Sequence, residues 1–133
     1  LPVAGMIVDN MSSGGTIAAV NLESGLLGTG VAWGSSGLLE RAELLPGTDV
    51  RVEGATIALW PDAARIALDA QRAAGLPFMG WDLALCEGGP ILLEANVRWG
   101  GALVTLPQEA PLSETEFPKV FMHHWALGAA DKA

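Results

Sequence analysis

The sequence predicts an α+β fold, an antiparallel sheet with helices packed on one face. Three observations predict it. Residues 16–33 hold two apolar segments around the turn Glu23-Ser24-Gly25. Residues 60–75 hold a helix start, a stripe of small apolar residues and a glycine stop. Residues 80–96 hold two further apolar segments around Glu87-Gly88-Gly89-Pro90. The order strand, strand, helix, hairpin suggests an α+β layer with an antiparallel sheet.

An apolar run over 3–9 ends at Asp9, and Asn10-Met11-Ser12-Ser13-Gly14-Gly15 is a turn-forming cluster. Thr16-Ile17-Ala18-Ala19-Val20 reads as a strand on its β-branched content. The returning strand spans 26–33 and is weakened by Gly28 and Gly30. An irregular connector over 34–49, with a short helical piece at 38–44, leads to an extended or strand segment at 50–58. Pro61 suits the first helical position and Asp62 the positive end of the helix dipole. Ala63, Ile66, Ala67, Ala70 and Ala74 repeat at helical spacing, and Gly75 ends the helix. After the 80–96 hairpin, Arg98-Trp99-Gly100-Gly101 makes a turn. Pro107, Pro111 and Pro118 break the next segment, and residues 119–127 form a short final helix. There is no repeat and no low-complexity tract. The chain, 1–133, reads as a single domain.

Composition narrows the partners. With 133 residues, half of them hydrophobic, the chain can bury a core and is not of disordered type. Fifteen acidic and seven basic side chains give a net charge of −8. That balance excludes nucleic acid and anionic membranes as expected partners, because both need clustered Lys or Arg. No apolar run approaches the roughly 20 residues of a membrane span. No charged segment followed by an apolar one opens the chain as a signal peptide would. The single cysteine, Cys86, excludes an intrachain disulfide and fits a cytoplasmic location. The chain starts at Leu1 rather than at an initiator Met, so a fragment or processed product is expected.

The hairpin carries the chemistry. A three-residue loop, Glu87-Gly88-Gly89, sets Cys86 against Pro90, Ala84 against Leu92, Asp82 against Glu94 and Gly80 against Asn96. Glu94 and Asn96 share a face because strand side chains repeat every two residues. Two carboxylates and an amide oxygen then lie on one patch. Like charges directly opposite each other destabilise a sheet, so a divalent cation is the natural compensation. Hard cations such as Mg²⁺ take such oxygens. Arg98, next to Trp99, is a candidate clamp for a phosphate or carboxylate. The Asn10-x-x-x-Gly14-Gly15 turn is a candidate for backbone N–H groups facing an anion. His123 and His124 are neighbours on a helix, so a two-histidine metal site is not expected from them. Cys86 reads as a small buried residue, and the five tryptophans as core and edge packing.

The arrangement Asp82…Glu94-Ala95-Asn96 resembles the C-terminal lobe of ATP-grasp enzymes. In those enzymes an Asp and a Glu-x-Asn on neighbouring strands hold the Mg²⁺ ions that bridge the ATP phosphates. The Asn10-x-x-x-Gly14-Gly15 turn is similar to the Asn…Gly-Gly segment of ATP-grasp ligases that join amino acids to carboxylates. The wording from Gly80 to Asn96 is most similar to the sugar-transfer-associated ATP-grasp group, allied to α-L-glutamate-ligase-like proteins. The likeness runs from about Val8 to about Trp125. It implies an ATP-dependent carboxylate ligase working through an acyl phosphate, linked to polysaccharide or sugar-transfer metabolism. It implies ATP and Mg²⁺ (or Mn²⁺) as cofactors and a small carboxylate as substrate. Asp82, Glu94 and Asn96 become the metal ligands, Asn10, Gly14 and Gly15 lie near the nucleotide, and Arg98 is the catalytic group. An ATP-grasp unit also has an N-terminal lobe whose lysines hold the phosphates. Lys119 and Lys132 do not match them, and Val8 stands where related ligases carry an Arg. Turnover is therefore expected only when the chain is joined to such a lobe. The alternative is a non-catalytic binding or assembly module derived from one, which would form a homo-oligomer.

Overall fold

The computed structural model describes residues 11–130, which divide into two compact units. The first is built from residues up to 61 together with 102–109, the second from 62–101 together with residues from 110 onward. Among the described residues the strands form two antiparallel ladders, so the α+β class and antiparallel pairing are present as two sheets.

In the first unit a 3₁₀ turn, Met11–Ser13, precedes β1 (Ile17–Val20), β2 (Leu27–Trp33) and β3 (Leu39–Ala42). The sheet order is β1-β2-β3. The central strand supplies the buried Leu27 and Val31, and Val52, only 2 % exposed, is buried from the following loop. The turn between β1 and β2 is closed by Asn21, whose side-chain oxygen accepts from the N–H groups of Glu23 (3.1 Å) and Ser24 (3.0 Å). This is the local bonding that makes Asn a turn residue. Gly25 ends the turn at φ 72°. The Trp60 indole N–H donates to the Leu22 carbonyl at 2.8 Å, which brings the ring over this turn.

Residues 38–44 were expected to include a short helix, and the structure corrects this: they contain β3, paired with β2 from Gly30↔Ala42 to Trp33↔Leu39. Leu, Glu, Arg and Ala favour helix weakly, by a few tenths of a kcal/mol per residue. A tight turn in which Gly34 N–H donates to Leu38 O (2.8 Å) aligns the segment with β2 and overrides that preference. Residues 50–58 join neither sheet and make isolated bridges, Leu44↔Arg51 and Leu26↔Thr56.

α1 runs from Trp60–Ala74 and Gly75, at φ 64°, terminates it. Of the predicted stripe, Ala63 is buried, Ile66, Ala67 and Ala70 are half-buried, and Ala74 is exposed at the helix end. The second unit contains β4 (Gly80–Cys86) and β5 (Gly89–Asn96) as a two-stranded sheet, and α3 (Phe117–Ala130). A one-turn helix, α2 (Gly101–Thr105), lies between β5 and α3 in sequence, starting at the last residue of the turn expected over 98–101. α3 begins before 119 because the Thr115 hydroxyl accepts the Phe117 N–H at 3.1 Å. Pro118 then falls in the first turn, where no N–H is needed. Two packing expectations are corrected: Cys86 is exposed, and Trp33 and Trp125 are 49 % and 66 % exposed. Cys86 lies at the hairpin tip, opposite Gly89. Among the described residues no helix is long and apolar enough to cross a membrane.

A Cβ at Gly25 would lie 2.6 Å from the Trp60 Cβ, and its φ favours glycine. Gly25→Ala should therefore cost about 2–4 kcal/mol, combining left-handed backbone strain with overpacking. Urea denaturation followed by tryptophan fluorescence reads the loss; an unchanged midpoint would contradict this packing.

Candidate functional site

The β4–β5 hairpin brings Asp82, Glu94 and Asn96 onto one face. Its register pairs Asp82↔Glu94 and Gly80↔Asn96, as the sequence predicts. The tip differs from the expectation. Cys86 pairs with Gly89 and Leu85 with Pro90, so the loop is the two-residue Glu87-Gly88. Leu83 pairs with Leu92 and Ala84 with Ile91, correcting the Cys86–Pro90 and Ala84–Leu92 pairs. The ladder then slips by one residue between Asp82 and Leu83, leaving Leu93 as the extra residue on β5. Two-residue loops are the commonest hairpin connections, and a bulge absorbs one residue on one strand. Short loop and bulge together restore the Asp82–Glu94 pairing that a longer loop would also give.

Asp82 and Glu94 are exposed and Asn96 is half-buried. The Asn96 amide N–H points to Asp82 Oδ2 at 3.4 Å. It puts a partial positive charge where two carboxylates meet. The amide oxygen remains an acceptor. Side-chain alternation puts Trp81 on the opposite face. There its indole N–H donates to Gln71 Oε1 of α1 at 2.9 Å. The Gln71 amide also bonds to the Leu76 carbonyl. α1 is thus tied to the side of the hairpin away from the carboxylates.

Among the described residues no group of three or more His, Cys, Asp or Glu could hold a metal on protein ligands alone. Two carboxylates plus one amide is a sparser set, but all three donors are hard oxygens. Mg²⁺ retains waters and is commonly held by one or two carboxylates together with substrate phosphates. The donor set fits that use.

Arg98 follows β5 by two residues and is exposed. Arg41, Arg51, Arg65, Arg72 and Lys119 each pair with a carboxylate within 4 Å. Arg98 has no such pair among the described residues, which leaves its guanidinium available to an anion. Asn10 lies outside the described residues. Gly14 is exposed and Gly15 buried, both in the first unit. The Gly14 N–H donates to the Met11 carbonyl at 3.2 Å and so closes the 3₁₀ turn. An open groove of ≈ 470 Å³ in the same unit, lined by residues of β1 and β2 with Leu22, Leu26 and Gln108, contains none of the candidate residues. His123 is exposed, and the half-buried His124 stacks edge-on to Phe78 at 5.8 Å.

Sequence reasoning missed the seat of Trp99, whose Cβ lies where a side chain at position 80 would be. The one available signal was a glycine opening a strand whose next residue is a bulky Trp.

The profile of the sugar-transfer associated ATP-grasp family matches residues 1–117. No curated protein and no solved structure matches the chain. The chain belongs to the sugar-transfer associated ATP-grasp family, an ATP-binding family.

The opposed Asp82 and Glu94 should be a net cost to the metal-free hairpin. Glu94→Gln is expected to stabilise the chain in EDTA by roughly 0.2–1 kcal/mol, the usual size of a cross-strand pair. Thermal unfolding with and without excess Mg²⁺ measures this; a variant less stable than wild type in EDTA would contradict it.

Proposed function

We propose that this chain forms part of an ATP- and Mg²⁺-dependent carboxylate ligase, with Asp82, Glu94 and Asn96 as metal ligands. The observation that carries the reading is the Asp82↔Glu94 and Gly80↔Asn96 register, which gathers three oxygen donors on one hairpin face. In the reaction the substrate carboxylate attacks the γ-phosphorus of ATP, and ADP leaves. An amine or other nucleophile then attacks the acyl phosphate carbon and expels inorganic phosphate. Mg²⁺, or Mn²⁺, supplies neutralisation of phosphate charge and orientation of the γ-phosphoryl.

The chain's own residues divide that work. Asp82 and Glu94 would offer a divalent cation two anionic oxygens, and Asn96 a neutral third that adds no further negative charge beside the phosphates. Arg98 stabilises the negative charge of the acyl phosphate; its freedom from any carboxylate among the described residues supports this role. Asn10, Gly14 and Gly15 contribute to the nucleotide side by family likeness. By family likeness, the lysines that hold the remaining phosphates belong to an N-terminal lobe.

A second reading is a binding or assembly module derived from such a lobe. It is favoured by the apolar surface of α3, where Met122 and Trp125 are 60 % and 66 % exposed. Size-exclusion chromatography with light scattering separates the readings: a stable homo-oligomer with no affinity for Mg²⁺–ATP supports the module.

Glu94→Ala in the full-length protein should lower ATP-dependent phosphate release by on the order of a hundredfold, equivalent to about 3 kcal/mol. A continuous phosphate assay reads it. Unchanged release would defeat the assignment. Arg98→Ala should lower the same rate while leaving Mg²⁺ affinity within about twofold, because Arg98 acts on the anion rather than on the metal.

A further inference from the structure

Gly80 opens β4 and shares the face of Asp82, two residues on. A Cβ built there would lie 2.7 Å from the Trp99 Cβ, closer than side chains approach, and 3.6 Å from the Asn96 Cβ. The chain leaving β5 therefore folds back so that Trp99 sits on the bare backbone of position 80, beside Asn96 and on the carboxylate face. Trp99 is held from its other side. Its ring meets Phe117 of α3 edge-on, centroids 5.6 Å apart, and Phe117 packs in turn against Phe78 at 5.1 Å, the two rings tilted by 48°. Between Asn96 and Trp99 lie only Val97 and Arg98. Fixing both ends of this four-residue stretch fixes where Asn96 and Arg98 stand relative to Asp82.

We infer that Gly80 is a positioning residue for the cation face: its missing side chain is the seat of Trp99, and that seat, clamped by Phe117, sets Asn96 and Arg98 over the Asp82–Glu94 pair. The inference rests on the metal reading proposed above and adds residues that touch neither metal nor nucleotide. Any side chain at position 80 must push Trp99 off the hairpin and drag Asn96 with it. The amide then loses its place against Asp82 Oδ2.

Nuclear magnetic resonance of the ¹⁵N-labelled full chain tests this, with Mn²⁺ as probe because it broadens resonances near it even when binding is weak. In the metal-free protein, Gly80→Ala should shift the Asn96 side-chain amide and the Trp99 indole N–H resonances. Gly88→Ala, at the open hairpin tip where nothing lies within 4 Å of the added Cβ, should shift neither. The Mn²⁺ concentration that half-broadens the Asn96 amide should rise about tenfold in Gly80→Ala, the lower end of the usual effect of residues that orient metal ligands. Gly25→Ala, destabilising but in the other unit, should leave it unchanged. If Gly80→Ala does not fold, Phe117→Leu carries the test, with an expected rise of about threefold. Wild-type broadening with no change in these variants overturns the positioning role alone. Absence of broadening at Asn96 in the wild type overturns the metal reading itself, and the positioning role with it.

Discussion

The antiparallel pairing of β4 with β5 is the constraint on which the rest of the second unit depends. Side chains alternate along a strand, so one residue of slip would turn Glu94 and Asn96 to the face that holds Trp81. The bulge at Leu93 is therefore what keeps the three oxygen donors together once the loop has closed on two residues. The same alternation separates two jobs. Trp81 is tied to Gln71 of α1 on one face. Asp82, Glu94 and Asn96 occupy the other, free of that helix. A hairpin of two strands is marginal by itself, so α1 on its back and the aromatic residues at its open end must hold it.

Those aromatic residues replace a conventional core. Three of the four buried hydrophobic side chains among the described residues, Leu27, Val31 and Val52, lie in the first unit, and only Ala63 lies in the second. The second unit instead stacks Phe78, Phe117, Phe121 and Trp125 at centroid distances of 5.1–6.1 Å. Such ring pairs contribute about 0.5–1.5 kcal/mol each beyond the area they bury. Their spacing on α3, at 117, 121 and 125, is one residue in every helical turn. The stripe points one way, and its end at Trp125 remains exposed.

What was legible in the sequence followed from local rules. The turn at Glu23-Ser24-Gly25, the start and stop of α1, and the Asp82–Glu94 pairing each depend on residues close in the chain. The helix expected near 38–44 failed because β3 is made by pairing with β2, a contact that weak local propensity does not report. The hairpin tip was misread because two departures from the simple register, a short loop and a bulge, cancel beyond Leu83; only the pairing after the bulge could be recovered from index counting. Cys86 was expected to be buried because its strand is apolar, and its place at the hairpin tip leaves it exposed. The seat of Trp99 on Gly80 joins residues 19 apart and has no periodic signature.

Charge decides how the acidic face can meet a nucleotide. The chain carries a net charge of −8, and its paired arginines and Lys119 are already committed to carboxylates. Two further carboxylates face outward at Asp82 and Glu94. Against a polyphosphate this surface is repulsive, and the Arg98 guanidinium, which pairs with no carboxylate among the described residues, does not reverse the sign. On the proposed reading, a divalent cation between the carboxylates and the phosphates would offset that repulsion, since it is attracted to both. On the proposed metal reading, cation and nucleotide binding at this face would be one coupled event, each raising the affinity for the other by the same factor. The register of a single hairpin brings Asp82, Glu94 and Asn96 to one face, and Trp99 packs on Gly80 beside Asn96.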